Sequence, residues 1–315
     1  MEFSHIPVML HEVVDGLNIR PDGLYVDGTA GGGNHSFEIG KRLSSSGRLI
    51  CTDRDEEAVE ACRKKLSPLC CKTEILRSPF NRIPEILAER EVKADGLLVD
   101  LGVSSHQLDE GYRGFSYMKD GPLDMRMDLS GGVTAADIIR DADQGELERI
   151  FFEYGEERYS RKIAAAIVEK RAESPIENTL TLAEIIKQAM PSGAVKKEKQ
   201  HPAKRVFQAL RIAVNDELFQ ISDLLEHVIG HMADGGRIAV ISFHSLEDRV
   251  VKNAFRRFEH PCTCPPDFPV CVCGKKPLGK CVGKCILPSK KEIEQNPRSR
   301  SAKLRVFEVK YTEND

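Results

Sequence analysis

Three acids each close a short apolar run: Asp27 after Leu24-Tyr-Val, Asp53 after Arg48-Leu-Ile-Cys-Thr, and Asp100 after Asp95-Gly-Leu-Leu-Val. Directly after the first comes Gly28-Thr-Ala-Gly-Gly-Gly33-Asn34-His35, a glycine-rich turn opening a helix. A backbone that bare lets a ligand press against it, and the helix start favours a nucleotide-like group. Asp53 follows about 20 residues beyond the turn, the spacing at which a carboxylate accepts hydrogen bonds from ribose hydroxyls. Turn and acids together frame one ribonucleoside site.

The glycine spacing, Gly28-x-x-Gly31-Gly-Gly33, is not the dinucleotide Gly-x-Gly-x-x-Gly, and no Lys-Ser/Thr of a phosphate-binding loop follows. That disfavours NAD and nucleoside triphosphates. S-adenosylmethionine, with ribose and adenine but no phosphate, fits better. The segment after Asp100 is where a methyl acceptor would meet such a donor. An exocyclic amine is a poor nucleophile, and an acceptor on its N–H helps it pyramidalise and then takes the proton. Asp100 suits that role; it equally suits cofactor binding or capping of the loop.

The elements that must carry these acids alternate: strand 24–28, helix about 34–43, strand 48–53, helix 55–66, strand 73–76, helix about 81–90 and strand 95–101. Such alternation predicts a doubly wound, mostly parallel α/β sheet with helices on both faces. After Ser105 the pattern becomes loop and helix. Ser160 to Glu173 carries the stripe Ile163, Ala164, Ile167 and Val168, and Thr181-Leu-Ala-Glu184 reads as a capping box opening Leu182 to Met190. Strands return at 235–242, preceded by a helix bearing Leu218, Ile221, Leu224, Leu225 and Val228, and followed by a helix from Leu246 to Phe258. There Ser245 with Asp248 reads as the helix cap, leaving His244 to reach the crevice. Leu304 to Tyr311 alternates as an edge or antiparallel strand would. The helical block is thus an insertion: residues 1–106 and 213–315 make the cofactor-binding domain and 107–212 an all-helical substrate-recognition domain.

Composition is that of a globular protein, 41% hydrophobic and 30% charged over 315 residues. No apolar run reaches the roughly 18 residues of a membrane span, and Met1 to His5 lacks the features of a signal peptide, so a cytoplasmic protein without a membrane partner is expected. Net charge is −3, yet Arg249 to Lys310 holds 15 Lys and Arg against five Asp and Glu, which suggests a polyanion partner. Six of the ten cysteines, Cys262, Cys264, Cys271, Cys273, Cys281 and Cys285, crowd into the same region. Their density suits a structural zinc ion, and equally free thiols in a proline-rich loop.

Beyond these local readings, long motifs carry a resemblance. Asp27-Gly-Thr-Ala-Gly-Gly-Gly-Asn-His-Ser36, Asp100-Leu-Gly-Val-Ser-Ser-x-Gln-Leu-Asp109, Arg113-Gly-Phe-Ser-Tyr117, Asp120-Gly-Pro-Leu-Asp-Met-Arg-Met-Asp128, Tyr154-Gly-Glu-Glu-Arg158, His201-Pro-Ala-x-Arg-x-Phe-Gln-Ala-x-Arg-Ile212, Val214-Asn-x-Glu217, Ile241-Ser-Phe-His-Ser-Leu-Glu-Asp-Arg249 and Asn296-Pro-Arg-Ser-Arg-Ser301 span nearly the whole chain. They resemble the bacterial ribosomal RNA small subunit methyltransferase H (MraW-type) family. The resemblance implies a class I, Rossmann-like methyltransferase fold with an inserted helical domain. It also implies methyl transfer from S-adenosylmethionine to N4 of a cytidine in the decoding region of 16S rRNA, within the small ribosomal subunit, and that the cysteine cluster is not required for it.

Carried over by position, the resemblance implies cofactor contacts from Gly33, Asn34, His35, Asp53, Phe80, Asp100 and Gln107. Phe80 either flanks the adenine or is an ordinary core aromatic. Asn34 stands where the family has glycine and His106 where it has proline; asparagine tolerates a left-handed turn. Phe115 and Tyr117, near Arg113, are the candidates to sandwich the cytosine, with Asp124, Arg126 and Asp128 for its polar edge; the alternative is a structural hinge with internal ion pairs. Two basic groups suit RNA phosphates: Lys196, Lys197, Lys199, Lys204, Arg205 and Arg211 on the insert, and Arg298, Arg300, Lys303 and Arg305 near the end.

Overall fold

A seven-stranded sheet carries the acids. The structure, a computed structural model, describes residues 7–191, 193, 201–265 and 270–311, without the side chains of Ser105 and His106. Lys196, Lys197 and Lys199 lie outside the described residues. The chain divides into two compact units, Met1–Gly102 with Leu218–Asp315, and Val103–Glu217.

In the first unit the strands are β1 (Leu24–Asp27), β2 (Arg48–Asp53), β3 (Lys72–Arg77), β4 (Ala94–Asp100), β5 (Met232–Ser242), β6 (Gly279–Cys281) and β7 (Lys303–Val309). Their order is β3-β2-β1-β4-β5-β7-β6. β1 to β5 pair in parallel, while β7 runs antiparallel to both β5 and β6. The expected doubly wound, mostly parallel sheet is therefore present. β7 is antiparallel but not an edge: the three-residue β6, which alternation is too short to reveal, lies outside it.

The period of two sorts each strand onto two cores. Val26, Ile50, Leu97, Val99, Ile238, Val240 and Phe307 face one layer, packed by Ile83, Ile86 and Leu87, by Ile221, Leu224, Leu225 and Val228, and by Val251, Phe255 and Phe258. Tyr25, Leu49, Cys51, Leu98, Ala239, Ile241 and Leu304 face the other, covered by Val13 and Leu17, Ile39, and Cys62 and Leu66. Helix Leu10–Leu17, not anticipated from the sequence, supplies part of that second layer. Because both faces are buried, β1 and β4 read as near-continuous apolar runs.

The second unit is helical, with helices Ala135–Asp141, Gln144–Glu153, Ser160–Glu173, Thr179–Ala189 and Lys204–Asn215 around a core that includes Leu147, Phe151, Ile163, Ile167, Leu182 and Phe207. Its borders fall at 102/103 and 217/218 rather than 106/107 and 212/213, since Val103, Ala213 and Val214 pack on this core. The capping box expected at Thr181 is absent. That helix starts at Thr179, three residues before the expected Leu182, and Thr179 donates its hydroxyl to the Lys119 carbonyl at 2.7 Å. A capping box does form at Thr134 and Asp137. No helix among the described residues is long and apolar enough to cross a membrane.

Candidate active site

The carboxyl ends of β1, β2 and β4 bring Asp27, Asp53 and Asp100 to one edge of the sheet, and the residues of the turn tie them together. Asp27 is fully buried: its Oδ2 takes the Ser36 hydroxyl and its Oδ1 the Thr29 N–H at 3.2 Å. Burial outweighs those bonds and pushes its carboxyl up to about 6. Asp53 accepts the Gly31 N–H at 2.8 Å and the Asp55 N–H at 2.9 Å, one on each oxygen. Burial pushes it up to about 6 as well. Each Asp53 oxygen keeps a second lone pair for a ligand hydroxyl.

Asp100 differs. Its N–H donates to Thr29 Oγ1 at 2.6 Å, which fixes the end of β4 on the turn, yet its Oδ1 is buried with no hydrogen-bond partner among the described residues. Burial, then the negative charges of Asp27 and Glu247, hold its carboxyl well above the usual range. His35 lies beside it, Nδ1 3.7 Å from Asp100 Oδ2, with Nε2 2.9 Å from the Val8 carbonyl. Burial lowers the imidazole to about 4, so His35 is neutral at neutral pH and its Nε2–H donates to Val8.

Gly33, not Asn34, supplies the left-handed turn (φ 77°), and Asn34 begins the following helix with its side-chain oxygen taking the Lys65 ammonium. A Cβ on Gly33 would sit 3.3 Å from both Cα and Sγ of Cys62. Gly33→Ala is therefore expected to lower stability by about 1–2 kcal/mol, read by urea denaturation. Phe80 belongs to the apolar core, and a Cβ on Gly28 would come within 3.1 Å of its Cβ. The first glycine of the motif thus answers to packing. Gln107, in the second unit, is buried and caps the short helix Ser105–Asp109 by exchanging bonds with Ser104.

The substrate candidates separate by burial. Arg113 is fully buried, its guanidinium donating to the carbonyls of Arg126 (3.2 Å) and Met127 (3.1 Å). Phe115 is core. Asp124 and Arg126 form a two-bond fork at 2.9 and 2.8 Å; burial would raise Asp124, but Arg126 outweighs it and holds the carboxyl low. Asp128 accepts from Ser130. This segment is internally braced, and Arg113 and Phe115 are buried rather than presented to a base as the sequence suggests. Arg113→Ala is expected to lower the stability of the second unit by about 3 kcal/mol or more with cofactor affinity unchanged, checked by denaturation and titration calorimetry. Tyr117, by contrast, stacks on His201 with centroids 4.8 Å apart and lines an open cleft of about 380 Å³ with Met118, Leu180, Ala183, Glu184, Lys187 and His201.

Of the basic groups, Arg298 and Arg300 are exposed on a 3-10 turn anchored by buried Asn296 and Ser299. Lys303 and Arg305 are both held by Asp248, at 3.0 and 2.7 Å, and Arg211 by Glu217, so these charges are largely spent inside the protein. His244 caps helix Ser245–Glu259 in a capping box with buried Glu247, a role expected of Ser245. Four cysteines of the six converge, Cys262, Cys264, Cys271 and Cys273, while Cys281 and Cys285 stand apart. Thr29 and Glu247 were not singled out by the sequence. Glu247 three residues after His244 was the available signal.

Comparison with known proteins bears on this arrangement. The MraW methylase family matches residues 2–310. The chain belongs to that family. Among MraW methylase relatives, a protein of Heliobacterium mobile named Ribosomal RNA small subunit methyltransferase H is 52% identical over 309 residues, covering 97% of this chain and 99% of its own. One of the same name from Carboxydothermus hydrogenoformans is 51% identical over 310 residues, 98% of each. A solved rRNA methylase from Streptococcus thermophilus aligns with a TM-score of 0.45 at 11% identity, covering 98% of this chain and all of that one.

Proposed function

We propose that the chain transfers a methyl group from S-adenosylmethionine to N4 of a cytidine in the decoding region of 16S rRNA, acting on the small ribosomal subunit in the cytoplasm. Family membership and the name shared by relatives at about half identity support methylation of small-subunit rRNA. The observation that carries the chemistry is Asp100, a half-buried carboxylate whose buried Oδ1 has no partner among the described residues, at the end of the strand beside β1. A carboxylate left so costs free energy unless a ligand satisfies it.

When bound, the sulfonium donor supplies an already activated methyl group. The residues then position, exclude water and take up a proton. Asp53 holds the ribose hydroxyls on its remaining lone pairs, while the Gly31–Gly33 turn lets the donor lie against bare backbone. Asp100 accepts the cytosine amine N–H through Oδ1, turns the nitrogen lone pair out of conjugation, and receives the proton afterwards; its raised pKa makes it a stronger base. Neutral His35 keeps a second positive charge away from the donor's. We assign stacking of an RNA base to Tyr117 and phosphate contacts to Arg298 and Arg300.

Mass spectrometry of 16S rRNA nucleosides from a deletion strain tests the assignment: N4-methylcytidine is expected to disappear, and unchanged levels would refute it. Calorimetry tests the cofactor. S-adenosylhomocysteine is expected to bind, whereas heat from NAD alone would indicate a dehydrogenase. Because Asp53 accepts on both oxygens with full charge only when ionised, and its carboxyl is pushed up to about 6, affinity for S-adenosylhomocysteine should be flat above pH 7 and about tenfold weaker at pH 5. A pH-independent affinity would remove Asp53 from the contact.

A further inference from the structure

We propose that Cys262, Cys264, Cys271 and Cys273 bind one zinc ion as a closed tetrathiolate site. The four sulfurs all lie within 4.8 Å of one another. Four of their separations are 3.5 Å (Cys262–Cys271), 3.8 Å (Cys264–Cys271), 3.5 Å (Cys271–Cys273) and 3.8 Å (Cys262–Cys273). Ligands about 2.3 Å from a central zinc at tetrahedral angles stand about 3.8 Å apart, which is the spacing found. A disulfide would bring two sulfurs to about 2 Å, and none of the four is so paired. An iron–sulfur cluster, whose irons share the cysteines among them, would spread the thiolates further.

Apolar burial does not explain the convergence. Val270 and Val272, flanking Cys271, are 71% and 74% exposed, and the cysteines are themselves exposed or half-exposed. The loop lies between helix Ser245–Glu259 and β6, closed at its base by the Leu278 N–H to Phe258 carbonyl bond at 2.9 Å. Beyond that base the described residues contain no helix or strand until β6. A metal ion would supply the missing cross-link, as in small zinc loops. The Val272 N–H points at Cys264 Sγ at 3.3 Å, an orientation that stabilises a ligating thiolate, and the exposed Lys275 and Lys276, two and three residues beyond Cys273, supply positive charge to the same loop. Cys285 instead directs its sulfur to the Ile286 carbonyl, and Cys281 belongs to β6.

The test uses the full chain purified under reducing conditions. Elemental analysis should find one equivalent of zinc, lost in Cys271→Ser and kept in Cys285→Ser. Cobalt exchanged into the native protein should give the intense visible bands of a tetrahedral thiolate site, so the inference does not depend on a variant that fails to fold. Chelation should speed proteolysis between residues 260 and 278 about tenfold or more while S-adenosylhomocysteine affinity stays unchanged. Metal-free protein with four freely reactive thiols and no cobalt spectrum would overturn the proposal. So would one equivalent of iron in place of zinc, or a mass deficit showing two disulfides.

Discussion

Asp100→Ala should lower kcat for rRNA methylation by about 10²- to 10⁴-fold, the range expected when a positioned proton acceptor is lost. The same variant should be more stable than the parent without ligand, by roughly 1–3 kcal/mol at pH 8, because the removed carboxylate has one buried oxygen that no described residue satisfies. The sign follows from its raised pKa. The folded parent holds the Asp100 proton to higher pH than the unfolded chain does, so stability declines as pH rises from the ordinary carboxylate range to the raised folded value. The variant should lose that part of the slope. Asp100→Asn separates the duties: it keeps an oxygen to orient the amine but cannot take the proton. Undiminished kcat in the alanine variant would end the assignment, whatever happened to stability.

The second large effect belongs to Asp53. Asp53→Ala removes two acceptors for ribose hydroxyls, each worth about 1.5–3 kcal/mol when the acceptor is charged, and also frees the Gly31 and Asp55 amides that hold the turn. Affinity for S-adenosylhomocysteine should fall about 100-fold or more by calorimetry, with KM for the donor rising in parallel and kcat at saturation changing far less. A loss confined to kcat would mean that Asp53 acts on the chemistry rather than on binding.

What could be read in advance follows the range of each interaction. The parallel strands are buried on both faces, so Leu24 to Asp27 and Ala94 to Asp100 announce themselves as apolar runs ending on acids. The glycine turn was equally plain, though Gly28 and Gly33 are glycine for different reasons, one to admit Ile83 and Phe80, the other for a left-handed backbone. The Arg113 to Asp128 segment was open to two readings, base recognition or internal ion pairs. Arginine, aromatic and aspartate side chains look alike in sequence whether they face a base or brace their own loop, and only burial shows that Arg113 serves the Arg126 and Met127 carbonyls. The same holds for Lys303 and Arg305, whose partner Asp248 lies more than fifty residues away. Which four of the six cysteines meet was likewise a matter of three dimensions.

The interior position of β7 bears on how the protein is made. Until residues 303–309 leave the ribosome, β5 carries a full row of unpaired amides and carbonyls along one side, opposite β4, and β6 has no strand to join. Nascent chains halted short of this point should expose a sticky border and aggregate. Nonsense mutations just before Lys303 should therefore be as damaging as much earlier ones.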